Sequence, residues 1–143
     1  MKIFFAGPLT NLQTPEKMKA FYIKLSDLAK ELGHEPFWAF LSGTDPIKNP
    51  DISASDVYKR DTEQIAKSDI VIAYIGEDST GTGEEIEFAK TYNVPVVLLY
   101  EKGDVVSRMV KGNPAIKKEI AFESEDDALT KLKEYLLQTP NKN

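Results

Sequence analysis

The sequence predicts an α/β fold: one three-layer domain in which helices flank a mostly parallel, roughly five-stranded sheet. A continuous apolar run at residues 3–6 and two mainly apolar segments at 69–75 and 94–100 have the length and composition of buried strands. Segments with apolar residues at helical spacing alternate with these runs, as in parallel sheets. A chain of 143 residues has the size of one domain. We therefore expect one flavodoxin- or Rossmann-like domain over residues 1–138 and a polar tail at residues 139–143.

Capping residues and glycines delimit the helices. Thr14 and Pro15 predict the start of the first helix, and Gly33 predicts its end. Asp51 or Ser53 can cap a second helix that runs to about residue 67. The remaining predicted elements are a short strand from residue 36, helices at about 84–92, 105–111 and 128–136, and a weak strand at 120–122.

Ligands of such folds bind at the carboxyl ends of the strands. Three segments should meet there: residues 7–10, the helix before Asp69, and the loop at residues 76–83. We expect Asp69 itself to cap a loop or to accept a backbone hydrogen bond outside the site.

Composition excludes several classes of partner. The net charge is −5 without a basic cluster, so we expect no nucleic-acid polymer as partner. The chain has no cysteine, which excludes disulfides and thiolate chemistry. The amino-terminal apolar run is too short for a signal peptide, and no segment has the length of a membrane span. These features predict a cytoplasmic protein with no membrane partner.

The loop at residues 79–83 joins a predicted strand to a helix, and its Ser79, Gly81 and Gly83 favour an anion-binding turn. The spacing matches neither a dinucleotide-binding fingerprint nor a P-loop. A tight strand-to-helix turn without a ligand is the alternative.

Two carboxylates are candidate catalytic groups. Asp61 lies in the apolar stripe of the second helix, where a charge needs a partner or a function, and a buried ion pair is the alternative. Glu85 shares a helix face with Phe88 and is expected in the first helical turn, where the dipole would keep it ionised. Glu84 more simply complements the helix dipole. Paired carboxylates beside an anion site indicate cleavage of a sugar bond, and they need no metal or organic cofactor.

Other chemically capable side chains have simpler interpretations. His34 follows Gly33 and is expected in a solvated turn. Phe37, Trp38 and Phe40 are expected in the core, although they could stack on a base or lie in a dimer interface.

Four blocks together resemble the nucleoside 2-deoxyribosyltransferase-like family, which includes the 2'-deoxynucleoside 5'-phosphate N-hydrolases: residues 3–7, 60–73, 79–86 and 106–112. The resemblance implies that Glu85 attacks the anomeric carbon and that Asp61 contacts or protonates the departing base. It also implies that Ser79 binds a 5'-phosphate, and that Ser107 reaches the phosphate of a neighbouring subunit in a homodimer. The small-molecule substrate would be a nucleotide or nucleoside.

The first block departs from the family pattern. Phe4 stands where the family commonly has a tyrosine that orients the nucleophile and crowds the 2'-position, so a ribonucleotide substrate is a hypothesis. Pro8, Leu9 and Thr10 replace a Ser-x-Arg that contacts phosphate in the monophosphate branch. Phe4, Gly7 and Pro8 thus join Ser79, Gly81, Gly83 and Ser107 as candidate substrate-binding residues.

Two alternatives remain open from the sequence. A deoxyribosyltransferase would exchange bases between deoxynucleosides, and a nucleotide-sensing module would use the same site without turnover. A response regulator is disfavoured because no acidic pair follows the first strand, and a flavodoxin because no hydroxyl-rich loop does.

Overall fold

Five parallel strands form one sheet in the order β2-β1-β3-β4-β5 in the computed structural model, which describes residues 1–140. The strands are β1 (Lys2–Ala6), β2 (Glu35–Trp38), β3 (Ile70–Tyr74), β4 (Val96–Glu101) and β5 (Ile116–Phe122). In the central pairing, Phe5 of β1 lies opposite Ile72 of β3. This is the strand order of flavodoxin-like folds, and it confirms the predicted fold class.

Within residues 1–140, four α-helices connect the five strands and a fifth follows β5: α1 (Pro15–Glu31), α2 (Ala54–Ala66), α3 (Thr80–Thr91), α4 (Arg108–Lys111) and α5 (Glu125–Gln138). A short 3₁₀ turn, Ala39–Leu41, follows β2. After β1 the chain forms β2 on one side of β1, and it then crosses over to form β3 on the other side. The loops after β1 and β3 therefore border a crevice at the carboxyl edge of the sheet, where ligands of such folds bind.

The sheet separates two apolar cores. On one face, Phe21 of α1 and Leu132 of α5 belong to a cluster that includes Trp38 and Phe40. On the other face, Ile65 of α2 and Ile86 of α3 pack with the opposite side chains of the same strands. The three layers follow because the central strands β1, β3 and β4 bury both of their faces.

Several element boundaries differ from the sequence prediction. Helix α3 begins at Thr80 and not near residue 84, because the Ser79 side chain accepts the backbone N–H of Thr82 as an N-cap. Strand β5 begins at Ile116 and not near 120, since it pairs with β4 along its whole length. Helix α4 is shorter than predicted and begins at Arg108.

Two other local expectations, for the cap of α2 and for Asp69, are met, whereas His34 does not lie in the solvated turn expected for it. Ser53, and not Asp51, caps α2. The backbone N–H of Lys2 donates to Asp69 at 2.7 Å, at the amino end of the sheet and away from the crevice. His34 lies at that end too, but partly buried, with its Nδ1 3.3 Å from the Met1 amino group.

Helix α5 ends at Gln138, where the predicted polar tail begins. Residues 141–143 of that tail lie outside the described residues. Within residues 1–140, no helix combines the length and the hydropathy needed to cross a membrane.

Candidate active site

A cleft of about 670 Å³ opens at the crevice between the ends of β1 and β3. Its walls come from the β1–α1 loop, the β2–α2 loop, the first half of α2 and the amino-terminal end of α3. The cleft brings together five of the residues predicted from the sequence: Asp61, Glu85, Gly7, Ser79 and Gly81. The topology thus joins segments that are far apart in the chain.

Glu85 lies in the second turn of α3 and not in the first, because the helix begins at Thr80. The expectation that the helix dipole keeps this carboxyl ionised is therefore wrong, since the dipole acts mainly on the first turn. Burial raises the pKa of Glu85 well above its usual value, and the nearby charges of Asp61 and Glu84 raise it further. Glu85 accordingly holds a proton more strongly than a surface glutamate.

Asp61 faces the cleft from α2 and is partly buried. Burial raises the pKa of Asp61 to about 6, although the Arg60 charge lowers it. The Arg60 guanidinium donates to the Ser42 carbonyl instead of pairing with Asp61. Among residues 1–140 the buried Asp61 Oδ1 has no hydrogen-bond partner, so the ion pair considered from the sequence is not formed.

The ionisation of the two carboxyls is coupled. The charge of one opposes ionisation of the other, so the pair releases its two protons in separate steps. Between these steps the pair carries one proton and one negative charge. This is the protonation state that a nucleophile and a general acid need together.

The amino-terminal end of α3 forms the anion-binding side of the cleft. Ser79 Oγ accepts the Thr82 N–H at 3.2 Å, which leaves the hydroxyl proton free to donate. Gly81 lies in the first turn, where backbone N–H groups have no intrahelical partner. The Thr82 hydroxyl is 4% exposed and has no hydrogen-bond partner within residues 1–140. These donors, together with the helix dipole, favour a bound anion.

Gly83 belongs to the body of α3 and not to the cleft. It lies deeper in α3, where its N–H donates to the Ser79 carbonyl at 3.2 Å, and it does not line the cleft.

The candidate residues that follow or belong to β1, Phe4, Gly7 and Pro8, differ in their position relative to the cleft. Gly7 lines the cleft, and the Tyr22 hydroxyl packs so closely that a Cβ at position 7 would lie 2.6 Å from it. The same hydroxyl donates to the Pro8 carbonyl at 2.9 Å, while the Pro8 ring is buried. Phe4 is 0% exposed, stacks on Phe37 at 5.4 Å and does not line the cleft.

Ser107 lies away from the cleft of its own chain. It precedes α4, is exposed, and makes no side-chain capping hydrogen bond. Val105 and Met109 beside it are 100% and 86% exposed.

The β2–α2 loop supplies a wall that sequence reasoning did not identify, with Thr44 and Asn49 among its lining residues. Its anchor is Asp45, 0% exposed, which pairs with Lys19 of α1 at 2.6 Å. Burial alone would raise the pKa of Asp45, but hydrogen bonds from Lys19, Lys48 and Ile47 outweigh it and hold that pKa below the usual value. The only sequence signal was the run of Gly, Asp, Pro and Asn residues at 43–50, which marks a loop without indicating its contacts.

Within residues 1–140, no three acidic or histidine side chains converge in a way that could hold a metal ion.

Comparison with known proteins finds relatives of one kind. A protein of Methanosarcina barkeri, provisionally named 2'-deoxynucleoside 5'-phosphate N-hydrolase 1, is 32% identical over 114 residues, covering 79% of this chain and 70% of that protein. A protein of Syntrophotalea carbinolica with the same provisional name is 36% identical over 85 residues. That match covers 58% of this chain, and the chain spans 59% of the length of that relative. No family model matches the chain.

Solved structures agree with the fold. A 2-deoxyribosyltransferase from Bacillus psychrosaccharolyticus superimposes with a TM-score of 0.67 at 26% identity, covering 90% of both chains. A CMP N-glycosidase from Clostridium botulinum, at 24% identity, superimposes with a TM-score of 0.75 over 94% of this chain and 99% of its own. At this identity, the likeness to the CMP N-glycosidase shows that the two chains share a fold.

Proposed function

Because the chain belongs to the nucleoside 2-deoxyribosyltransferase-like family, which includes the 2'-deoxynucleoside 5'-phosphate N-hydrolases, we propose that it cleaves the N-glycosidic bond of (2'-deoxy)ribonucleoside 5'-monophosphates. The products are a free base and a sugar 5-phosphate. The observation that carries the proposal is the meeting of Asp61 and Glu85 in one cleft beside the amino-terminal end of α3.

In the first step, ionised Glu85 attacks the anomeric carbon of the sugar as the bond from that carbon to the base breaks. Asp61 delivers the one proton of the pair to the departing base, so that the base leaves neutral. The pKa of both carboxyls is raised, and the one proton of the pair must lie on Asp61 when Glu85 attacks. The result is a glycosyl ester on Glu85 and an ionised Asp61.

In the second step, Asp61 accepts a proton from a water molecule that attacks the anomeric carbon. The bond to Glu85 breaks and the glutamate leaves as a carboxylate. The pair then again holds one proton and one charge, so the cycle closes without a net change in the protein. A free base in place of water would give base exchange instead.

The 5'-phosphate is placed at the amino-terminal end of α3. The free proton of the Ser79 hydroxyl, the N–H of Gly81 and the Thr82 hydroxyl are unused donors at that end. The helix dipole adds a favourable potential there. A carboxylate at position 79 would repel the phosphate, so serine favours the monophosphate over a free nucleoside.

The active unit in this proposal is a homodimer with shared sites. Ser107 has a free side-chain hydroxyl outside its own cleft, and the neighbouring Val105 and Met109 expose large apolar side chains. Such side chains favour burial against another protein surface. A second copy would bring Ser107 to the phosphate of its partner.

A chromatographic assay tests the proposed function. The protein is incubated with deoxynucleoside and ribonucleoside 5'-monophosphates, and separately with a deoxynucleoside plus a second free base. Release of base and sugar phosphate supports the hydrolase, whereas a new nucleoside in the second mixture identifies a transferase. Glu84→Gln is the matched control for Glu85→Gln, because Glu84 is the exposed neighbour on the same helix. Nucleotide binding without turnover would identify a sensing module.

A further inference from the structure

A second cavity, of about 740 Å³, opens at the same edge of the sheet but over β3, β4 and β5, on the face covered by α1 and α5. It contains neither Asp61 nor Glu85. The β1–α1 and β3–α3 loops contribute to both cavities. Residues 13–14 and 76–77 line the second cavity, whereas residues 7, 9–11 and 78–79 line the cleft. The second cavity is therefore a separate site beside the catalytic one.

Three aromatic side chains form the floor of this cavity. Phe21 of α1 meets Tyr74 of β3 edge to face, with ring centroids 5.7 Å apart. The ring centroid of Phe122 of β5 lies 5.8 Å from that of Phe21 and 6.3 Å from that of Tyr74. Such a floor offers apolar contact to methylene groups and attracts cations over the ring faces.

Tyr74 presents a hydroxyl group to this cavity. The residue as a whole is 4% exposed and lines the cavity, and among residues 1–140 its hydroxyl forms no hydrogen bond. The hydroxyl lies directly against Gly76, another residue of the cavity wall, where any side chain would overlap it. A ligand in the cavity can therefore supply the hydrogen-bond partner that this hydroxyl lacks.

Carboxylates surround this hydroxyl. Burial, and then the charges of Glu101, Asp104 and Glu77, raise the pKa of Tyr74 to about 12. None of these three carboxylates pairs with a lysine or arginine within residues 1–140.

The other charged groups of the wall are largely balanced. Glu123 and Glu125 already pair with Lys102 at 2.8 Å and with Lys24 at 2.6 Å. Lys17 is an exposed cation at the rim. The uncompensated charge is therefore negative and lies around Tyr74.

We propose that this cavity binds an aliphatic polyamine. Ammonium groups would pair with Glu77, Glu101 and Asp104, and one would donate to the free Tyr74 hydroxyl oxygen. The methylene chain between them would lie on the aromatic floor. A bare metal ion does not match the cavity, because the carboxylates of the described residues do not converge as metal ligands and the floor is apolar.

Titration calorimetry with spermidine on the purified full chain tests the proposal. Saturable binding should weaken at least tenfold in the double variant Glu77→Gln/Glu101→Gln, which keeps the shape of the wall. Tyr74→Phe removes only the hydroxyl and should weaken binding several-fold. Glu31→Gln, an exposed carboxylate at the far end of α1, should leave it unchanged.

Three results would overturn the proposal. These are the absence of saturable binding to the wild type, equal binding by wild type and the double variant, and displacement of spermidine by Mg²⁺ as effectively as by putrescine at matched ionic strength. The last two would show diffuse attraction to an acidic surface. A thermal melt of each variant verifies folding, and the double variant alone decides the question if Tyr74→Phe is unstable.

Discussion

Asp61 on α2 raises the pKa of Glu85 on α3 across the cleft between the two helices. Burial has already raised the pKa of both groups, so the pair keeps a proton at a pH where surface carboxyls have lost theirs. One proton and one charge on two carboxyls is the state that glycosidic cleavage requires. This relationship determines the expected pH dependence.

Activity should fall as the pH drops below about 6. The pKa of both carboxyls is raised, that of Asp61 to about 6, so below this pH both carboxyls become neutral and the nucleophile is lost. The measurement is kcat/KM for a nucleoside monophosphate against pH. In Asp61→Asn only Glu85 can ionise, and burial still raises its pKa, so the acidic limb should lie at least as high in pH as in the wild type while the rate falls. An acidic limb near the pKa of a surface glutamate in the wild type would contradict the coupled pair.

Asp61→Asn should also stabilise the protein at pH 8. The pKa of Asp61 is raised from 3.8 to about 6 by folding, so the wild type loses stability as the pH rises through 6. Allowing for partial solvent screening, the variant should gain about 1–2 kcal/mol at pH 8. At pH 4 position 61 is neutral in the folded wild type as it is in the variant, so the gain in stability should nearly vanish. Urea denaturation at the two pH values measures this difference, and an equal effect at both would exclude a titrating Asp61.

Ser79→Asp separates phosphate recognition from folding. Aspartate caps helices as well as serine does, so the melting temperature should change little. Its charge should raise KM for the monophosphate at least tenfold and leave that for the free nucleoside unchanged or lower. Steady-state kinetics with the matched nucleotide and nucleoside test this. An equal rise in both KM values would show that Ser79 does not contact phosphate.

Asp45→Ala should destabilise the fold by about 2–4 kcal/mol, because it leaves Lys19 and two backbone N–H groups without their buried partner. The pKa of Asp45 is depressed in the folded state, so its contribution is present at neutral pH and is lost as the pH falls through that pKa. The difference from the wild type should therefore shrink in acid. Asp27→Ala breaks an exposed pair with Lys30 and should change stability by less than about 0.5 kcal/mol.

The sequence was most informative where a pattern is local. The apolar runs and their spacing predicted the parallel sheet, and the apolar stripe around Asp61 identified a carboxylate that the structure leaves without a partner. The start of α3 was misplaced because Gly81 and Gly83 read as a loop, whereas the Ser79 cap extends the helix through them. That error also produced the wrong expectation for the pKa of Glu85.

What the sequence could not predict depends on packing between distant segments. The burial of Asp45 under Lys19 joins residues 26 positions apart, and neither residue has a distinctive local pattern. Phe4 was a candidate substrate contact, yet its ring packs on Phe37 inside the core. The role of Ser107 depends on a second copy of the chain and stays a prediction.

The most direct test of the central claim is mass spectrometry of the protein quenched in acid during turnover of a nucleoside monophosphate. The account predicts a sugar phosphate ester on the peptide that contains Glu85, present in the wild type and in Glu84→Gln and absent in Glu85→Gln. Base release without an adduct on that peptide, or undiminished release by Glu85→Gln, would contradict it.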